Sequence, residues 1–178
     1  MSSVGNPLFN YPGSTPPRRS DRAWDADEVP TLLIVHHTPS PATHGLLEAV
    51  RAGATDPRIT GVDVDVRPAL GATASDVLAA DGCLLGTPAN LGYMSGALKH
   101  FFDQIYYPCL DATVGRPYGL YVHGNSDTAG AVRSVEVVTT GLRWRLAQPV
   151  CSVVGEPTTA DLEAAWELGA ALAASLAT

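Results

Sequence analysis

Cysteine is scarce: three residues in 178, at positions 83, 109 and 151, with no CxxC pair and one left over. That excludes a disulfide framework and a structural zinc site, and it suits a reducing compartment, so a cytoplasmic location is expected. Positive charge is scarce as well. Eleven basic residues against eighteen acidic give a formal net charge of −7. Most nucleic-acid affinity comes from neutralising phosphates, so this chain is a poor nucleic-acid binder, and it lacks the polybasic cluster of an electrostatic membrane anchor. Long apolar runs are missing too. None approaches the roughly 18 residues that span a bilayer, and the first residues lack the apolar stretch of a secretory signal. There is no GxSxG and no GxxxxGK[ST], which argues against common hydrolases and P-loop enzymes. What remains abundant is hydrophobic residues, at 46% against 16% charged. Such a balance excludes a disordered chain and leaves one soluble domain with a substantial core.

The first 30 residues stand apart. They hold Pro7, Pro12, Pro16, Pro17 and Pro30 with few aliphatic residues, which predicts an extended or disordered arm over 1–30. From position 31 two periods alternate. TLLIVH (31–36), GCLLGT (82–87), PYGLYVHG (117–124) and PVCSVVG (149–155) read as buried strands, and ITGVDVDV (59–66) as a strand with one wetter face. Between them come helical stripes: one capped by Thr43 and running to Gly53, a short one over 73–80, and one through Met94, Leu98, Phe101, Phe102 and Ile105. A fourth passes through Ala131, Val135, Val138, Leu142 and Leu146, and a last follows a Thr158 or Thr159 cap. Five strands alternating with helices predict an α/β domain over 31–178, a three-layer sandwich around a five-stranded parallel sheet in the order 2-1-3-4-5.

In such a sheet ligands bind beyond the carboxyl ends of the strands, where the strand order reverses. Three loops therefore matter. HHTPSPATHG (36–45) carries the hydroxyls of Thr38, Ser40 and Thr43 just before a helix, where unpaired N–H groups and the helix dipole suit a phosphate. A plain turn capped by Thr43 is the bland alternative. GTPANLGYMSG (86–96) is small enough to let backbone approach a flat ligand, with Leu91 and Tyr93 available to pack against it; otherwise it is a turn that needs Gly92 for a positive φ. HGNSDTAGA (123–131) is a third pliable, polar loop on the same rim.

These loops resemble those of the flavodoxin-like superfamily, in particular its NAD(P)H:quinone oxidoreductases of the Trp-repressor-binding-protein type and its NADPH-dependent FMN reductases. GTPANLGYMSGALKHFFDQ (86–104) is similar to that group's second flavin loop and carries the most specific part of the likeness, which spans about 31–178. The resemblance implies an FMN-binding oxidoreductase. Electrons would pass from NADH or NADPH through the flavin to a quinone-like or other small acceptor, with no catalytic acid, base or nucleophile from the protein. Carried over by position, Thr38, Ser40, Ala42 and Thr43 would hold the FMN phosphate. Thr87, Pro88, Ala89, Asn90, Leu91 and Gly92 would line the ring, and His123, Gly124, Asn125 and Gly130 would close its other edge. Pro41 stands where the family commonly has glycine, and it removes one backbone donor. Two rivals remain open: a flavodoxin-type electron carrier that docks on a partner enzyme, and a flavin-free interaction protein of the same fold.

Other groupings read as structural. His36, His37, His44 and His123 fall near the rim, but neighbouring strand residues point to opposite faces, so no metal site is expected. Asp63 and Asp65 share a face of the second strand away from the rim and read as solvated. The first strand ends in His36 and His37, not in the acidic residues a phosphoacceptor sheet needs. Arg133, Arg143 and Arg145 read as a solvated helix face. Tyr106, Tyr107 and the following Pro108, Cys109 and Leu110 form an apolar cluster that predicts a homo-oligomer.

Overall fold

The computed structural model describes residues 29–177, so the expected arm lies outside the described residues apart from its last two positions. The chain alternates strands and helices: β1 (Thr31–His36), α1 (Pro41–Ala54), β2 (Asp63–Pro68), α2 (Ala74–Ala79), β3 (Gly82–Asn90), β4 (Tyr93–Met94), α3 (Gly96–Cys109), β5 (Pro117–Gly124), α4 (Ala129–Gly141), β6 (Arg145–Leu146), β7 (Cys151–Val154) and α5 (Thr159–Leu176). Except for the short β3–β4 hairpin the pairing is parallel, in the order β2-β1-β3-β5, with β6 and β7 both on the outer side of β5. This is the expected 2-1-3-4-5 order. The fifth position is shared by two short strands: β7 lies within the expected strand 149–155, whereas β6 comes from the end of the segment read as helical, and they pair with the end and the start of β5 respectively. Pro149, which has no N–H for a ladder, lies in the gap between them.

Two cores flank the sheet. Leu33, Val35, Cys83, Leu85, Leu120 and Val122 face α2, α3 and α4, where Val77, Leu98, Phe101, Phe102, Ile105 and Val135 are buried. Leu32, Ile34, Leu84 and Tyr121 face α1 and α5, against Leu46, Leu47, Val50, Leu168 and Leu172. The alternation follows from successive strand residues pointing to opposite faces. Helix α1 begins two residues before the predicted cap. Ser40, not Thr43, is its N-cap. Thr43 sits at N3 and closes a reciprocal capping box, while Pro41 occupies the first turn, where a missing N–H costs the helix nothing. Strand β2 starts four residues later than expected. Helix α4 stops at Gly141, so Leu146 belongs to β6 and not to the helical stripe. The two-residue strand β4 was not foreseen.

The predicted apolar cluster forms the last turn and C-cap of α3 and is smaller than its sequence suggests. Cys109 is fully buried, Tyr106 and Leu110 pack partly into the core, and only Tyr107 and Pro108 are exposed. No helix among the described residues is long and apolar enough to cross a membrane.

Candidate functional site on the carboxyl rim of the sheet

Register places the three loops side by side. His36 lies opposite Gly86, Gly86 opposite Tyr121, and Pro88 opposite His123, so the segments leaving β1, β3 and β5 emerge together at one end of the sheet. The first two are also joined directly, since the His37 N–H donates to the Gly86 carbonyl at 3.0 Å.

The first loop leads into α1. The Thr43 hydroxyl donates to the Ser40 carbonyl at 2.9 Å and accepts from the Ser40 N–H at 3.1 Å, and the Thr43 N–H donates to the Ser40 hydroxyl at 3.3 Å. Thr43 is therefore buried and occupied with holding the helix start. Thr38, Ser40 and Ala42 are half-buried at the surface of the same turn. Among the described residues, the backbone N–H groups of Thr38 and Ala42 have no hydrogen-bond partner. Two free N–H groups at the positive end of a 14-residue helix, beside two hydroxyls, match what a phosphate monoester asks for. The cost of Pro41 is one donor from that set.

The second loop is an extension of β3. Thr87 is buried; its hydroxyl accepts the Ser95 N–H at 3.0 Å and so ties the loop to the cap of α3. Pro88 is buried and Ala89 half-buried, while Asn90 is exposed. Asn90 pairs with Tyr93 across a two-residue turn in which Leu91 (φ 52°) and Gly92 (φ 73°) both have positive φ. That is the pattern of a type I′ turn, natural for glycine and strained for leucine. Leu91 nevertheless stands fully exposed at the tip, with Tyr93 partly exposed beside it. The turn is held from below by Ser134, whose hydroxyl accepts the Met94 N–H at 3.0 Å.

The third loop closes against the second. Gly124 lies so near Ala89 and the Asp127 carbonyl that a Cβ would collide, and Gly130 lies equally close to the Gly92 carbonyl. Both glycines thus serve the contact between loops. Asn125 is exposed at this edge. His123 is buried, and its Nε2–H donates to the Gly155 carbonyl at 2.8 Å, so it anchors the end of β7.

Three rim residues outside the expected binding set, His36, His37 and Tyr121, lie beside it. His36 is held by its neighbour: its Nδ1 lies 2.6 Å from the Thr38 hydroxyl. Burial, His37 and His44 lower its pKa, while Glu48 pulls the other way. Tyr121 is buried, its ring laid over the bare Cα of Gly86, and its hydroxyl has no hydrogen-bond partner among the described residues. The Nδ1 of His37 is likewise buried and unpaired. Nothing in a strand of alternating residues signals such an orphan; it depends on what lies across the ladder. The thiols are inert by contrast. Burial pushes Cys83 up to about 12 and Cys109 up to about 11. Among the described residues no three His, Cys, Asp or Glu side chains are close enough to hold a metal ion.

A parallel sheet in this order, with helices on both faces and three small-residue loops at its carboxyl rim, is a flavodoxin-like fold. Solved structures agree. An archaeal flavodoxin superposes with a TM-score of 0.70, covering 82% of this chain and 98% of that one at 17% identity. A flavodoxin, WrbA-like protein from Agrobacterium tumefaciens superposes with a TM-score of 0.66 over 84% and 98% of the two chains at 20% identity. By sequence, a flavodoxin from Aquifex aeolicus (strain VF5) is 35% identical over 74 residues, which is 42% of this chain. The match spans 39% of that relative's length. No protein-family model matches the chain.

Proposed function

We propose that the protein binds FMN on the carboxyl rim and transfers electrons through it, taking them from NADH or NADPH and delivering them to a quinone-like or other small acceptor. The observation that carries this reading is the pair of free N–H groups at the head of α1, on the same rim as a strained, fully exposed Leu91–Gly92 turn. Backbone strain of this kind persists where surrounding structure enforces it, and it clusters at ligand sites. Thr38, Ser40 and Ala42 would take the phosphate directly, and Thr43 would hold the turn that presents them. Pro88, Ala89, Asn90, Leu91 and Gly92 would flank the ring, with Gly124, Asn125 and Gly130 along its other edge. Thr87 and His123 act one step back, through Ser95 and Gly155. When bound, FMN supplies the redox chemistry, while the protein supplies orientation and electrostatics.

A second reading, an electron carrier docking on a partner enzyme, is supported by the sequence match to the Aquifex flavodoxin and by the exposed Leu91 and Tyr93 beside the site. One experiment addresses both. FMN, FAD and riboflavin are titrated into the purified protein by fluorescence, and the complex is then mixed with NADH or NADPH without oxygen. Tight binding of FMN, with bleaching by one of the nucleotides, is the expected result. FMN binding without bleaching favours the carrier, and no binding of any flavin overturns both.

A further inference from the structure

We propose that His36 is a positioning residue that makes anion binding at the head of α1 proton-dependent, because its protonation decides whether Thr38 offers an anion its hydroxyl proton or its lone pairs. The inference rests on the reading of that turn as a phosphate site. It starts from the 2.6 Å contact between His36 Nδ1 and the Thr38 hydroxyl. Only one proton can lie between the two atoms. When the imidazole is neutral with its proton on Nε2, the Thr38 O–H must donate to Nδ1, and the hydroxyl turns lone pairs outward. An anion is repelled by that arrangement. When Nδ1 carries the proton it donates to Thr38, and the hydroxyl proton is free to point at the ligand, alongside the Thr38 and Ala42 N–H groups. Full protonation of His36 enforces this second state and adds a positive charge.

The surroundings keep His36 neutral until an anion arrives. His37 follows it on the chain, and His44 and Glu48 face it from α1. The paired positions on the flanking strands are Gly86 of β3 and Pro68 of β2, neither of which can carry charge. Tyr121 of β5 lies one position further along the same row, its ring over Gly86, and burial raises its pKa, so it stays neutral. Burial and the two other imidazoles lower the pKa of His36, and Glu48 opposes them. A phosphate dianion reverses the balance by bringing negative charge against three imidazoles. The pKa of His36 then rises, and by linkage the anion binds with uptake of a proton. Affinity therefore climbs as pH falls between the raised, bound pKa and the lowered, free one. A site selecting the dianion alone behaves in the opposite way, since a phosphate monoester loses its second charge near pH 6.

The test compares FMN with riboflavin, which lacks the phosphate, from about pH 8 down to about pH 6.5, the ordinary histidine value. FMN affinity is expected to rise towards acid, by at most about tenfold per pH unit for one proton, while riboflavin affinity stays flat. Calorimetry in two buffers of different ionisation enthalpy should show net proton uptake with FMN alone. His36→Gln should abolish the slope, and Thr38→Val, with the imidazole still present, should flatten it to the part that the imidazolium charge alone contributes. A flat or falling FMN profile in the native protein overturns the inference, as does a slope that Thr38→Val leaves unchanged. Inorganic phosphate, followed through the His36 ring proton by NMR, separates this idea from the flavin reading. If no flavin binds yet phosphate raises the His36 pKa, and raises it less in Thr38→Val, the flavin reading fails and the inference stands. If phosphate leaves that pKa unmoved, the inference fails whatever flavin does.

Discussion

Tyr121 shows how a single residue departs from what its sequence context suggests. In PYGLYVHG it is one more aromatic of a buried strand, and it is buried as expected. Across the ladder stands Gly86, whose missing side chain leaves a slot that the ring fills, and the hydroxyl ends without a partner among the described residues. A buried polar group left unsatisfied costs about 1–3 kcal/mol. Tyr121→Phe is therefore expected to stabilise the ligand-free protein, by about 1 kcal/mol after the small loss of packing. A rise in the urea midpoint at unchanged slope checks it. A fall would mean that the hydroxyl is bonded in solution. Leu91 is the reverse case. Its exposure at a turn is unremarkable in sequence, and only the backbone shows that it holds a conformation that glycine adopts more easily.

At the scale of elements, the helix starts are set by local chemistry. Ser40, Thr73 and Thr158 each cap a helix whose N3 residue, Thr43, Asp76 or Asp161, bonds back to the cap. These boxes can be read three residues apart, yet in the first of them both ends carry a hydroxyl, so composition alone does not separate the cap, Ser40, from its N3 partner, Thr43. The packing of α1 on α5 is a longer-range matter. Gly53 of α1 lies against the Trp166 carbonyl, and Gly169 of α5 against the Val50 carbonyl, so neither leaves room for a Cβ. The collision would be with backbone, which cannot swing aside. Gly169→Ala is expected to destabilise the protein by about 1–3 kcal/mol, towards the upper end, despite the better helix propensity of alanine. Thermal unfolding checks the sign: a gain in stability would show that the helices can separate freely.

For the whole molecule, the exposed apolar groups bear on assembly. In the last turn of α3 the exposed apolar surface comes down to Tyr107 and Pro108, and Leu91 and Tyr93 add a second exposed group at the candidate site. We propose that the protein forms a homo-oligomer in which a neighbour covers part of the rim and limits the access of water to the flavin. Light scattering on the FMN-loaded protein at micromolar concentration should give a mass of at least twice 18.6 kDa. A clean monomer would remove that cover and favour the electron carrier.

Much of the fold was decided by short-range pattern. The apolar runs of β1 and β5 match their strands residue for residue, and alternating strands and helices leave few topologies once crossovers must be right-handed. The three rim loops follow from that topology together with their small, polar composition. The tertiary structure alone decided the rest: that two short strands on either side of Pro149 share the outer position, that β3 runs on into a hairpin whose tip meets Gly130, and that His36 and Tyr121 share a row with Gly86. Each depends on residues distant in sequence meeting across a ladder or between loops. Patterns within a window of ten residues carry no information about such meetings, because periodicity sets which face a side chain takes and not what it finds there.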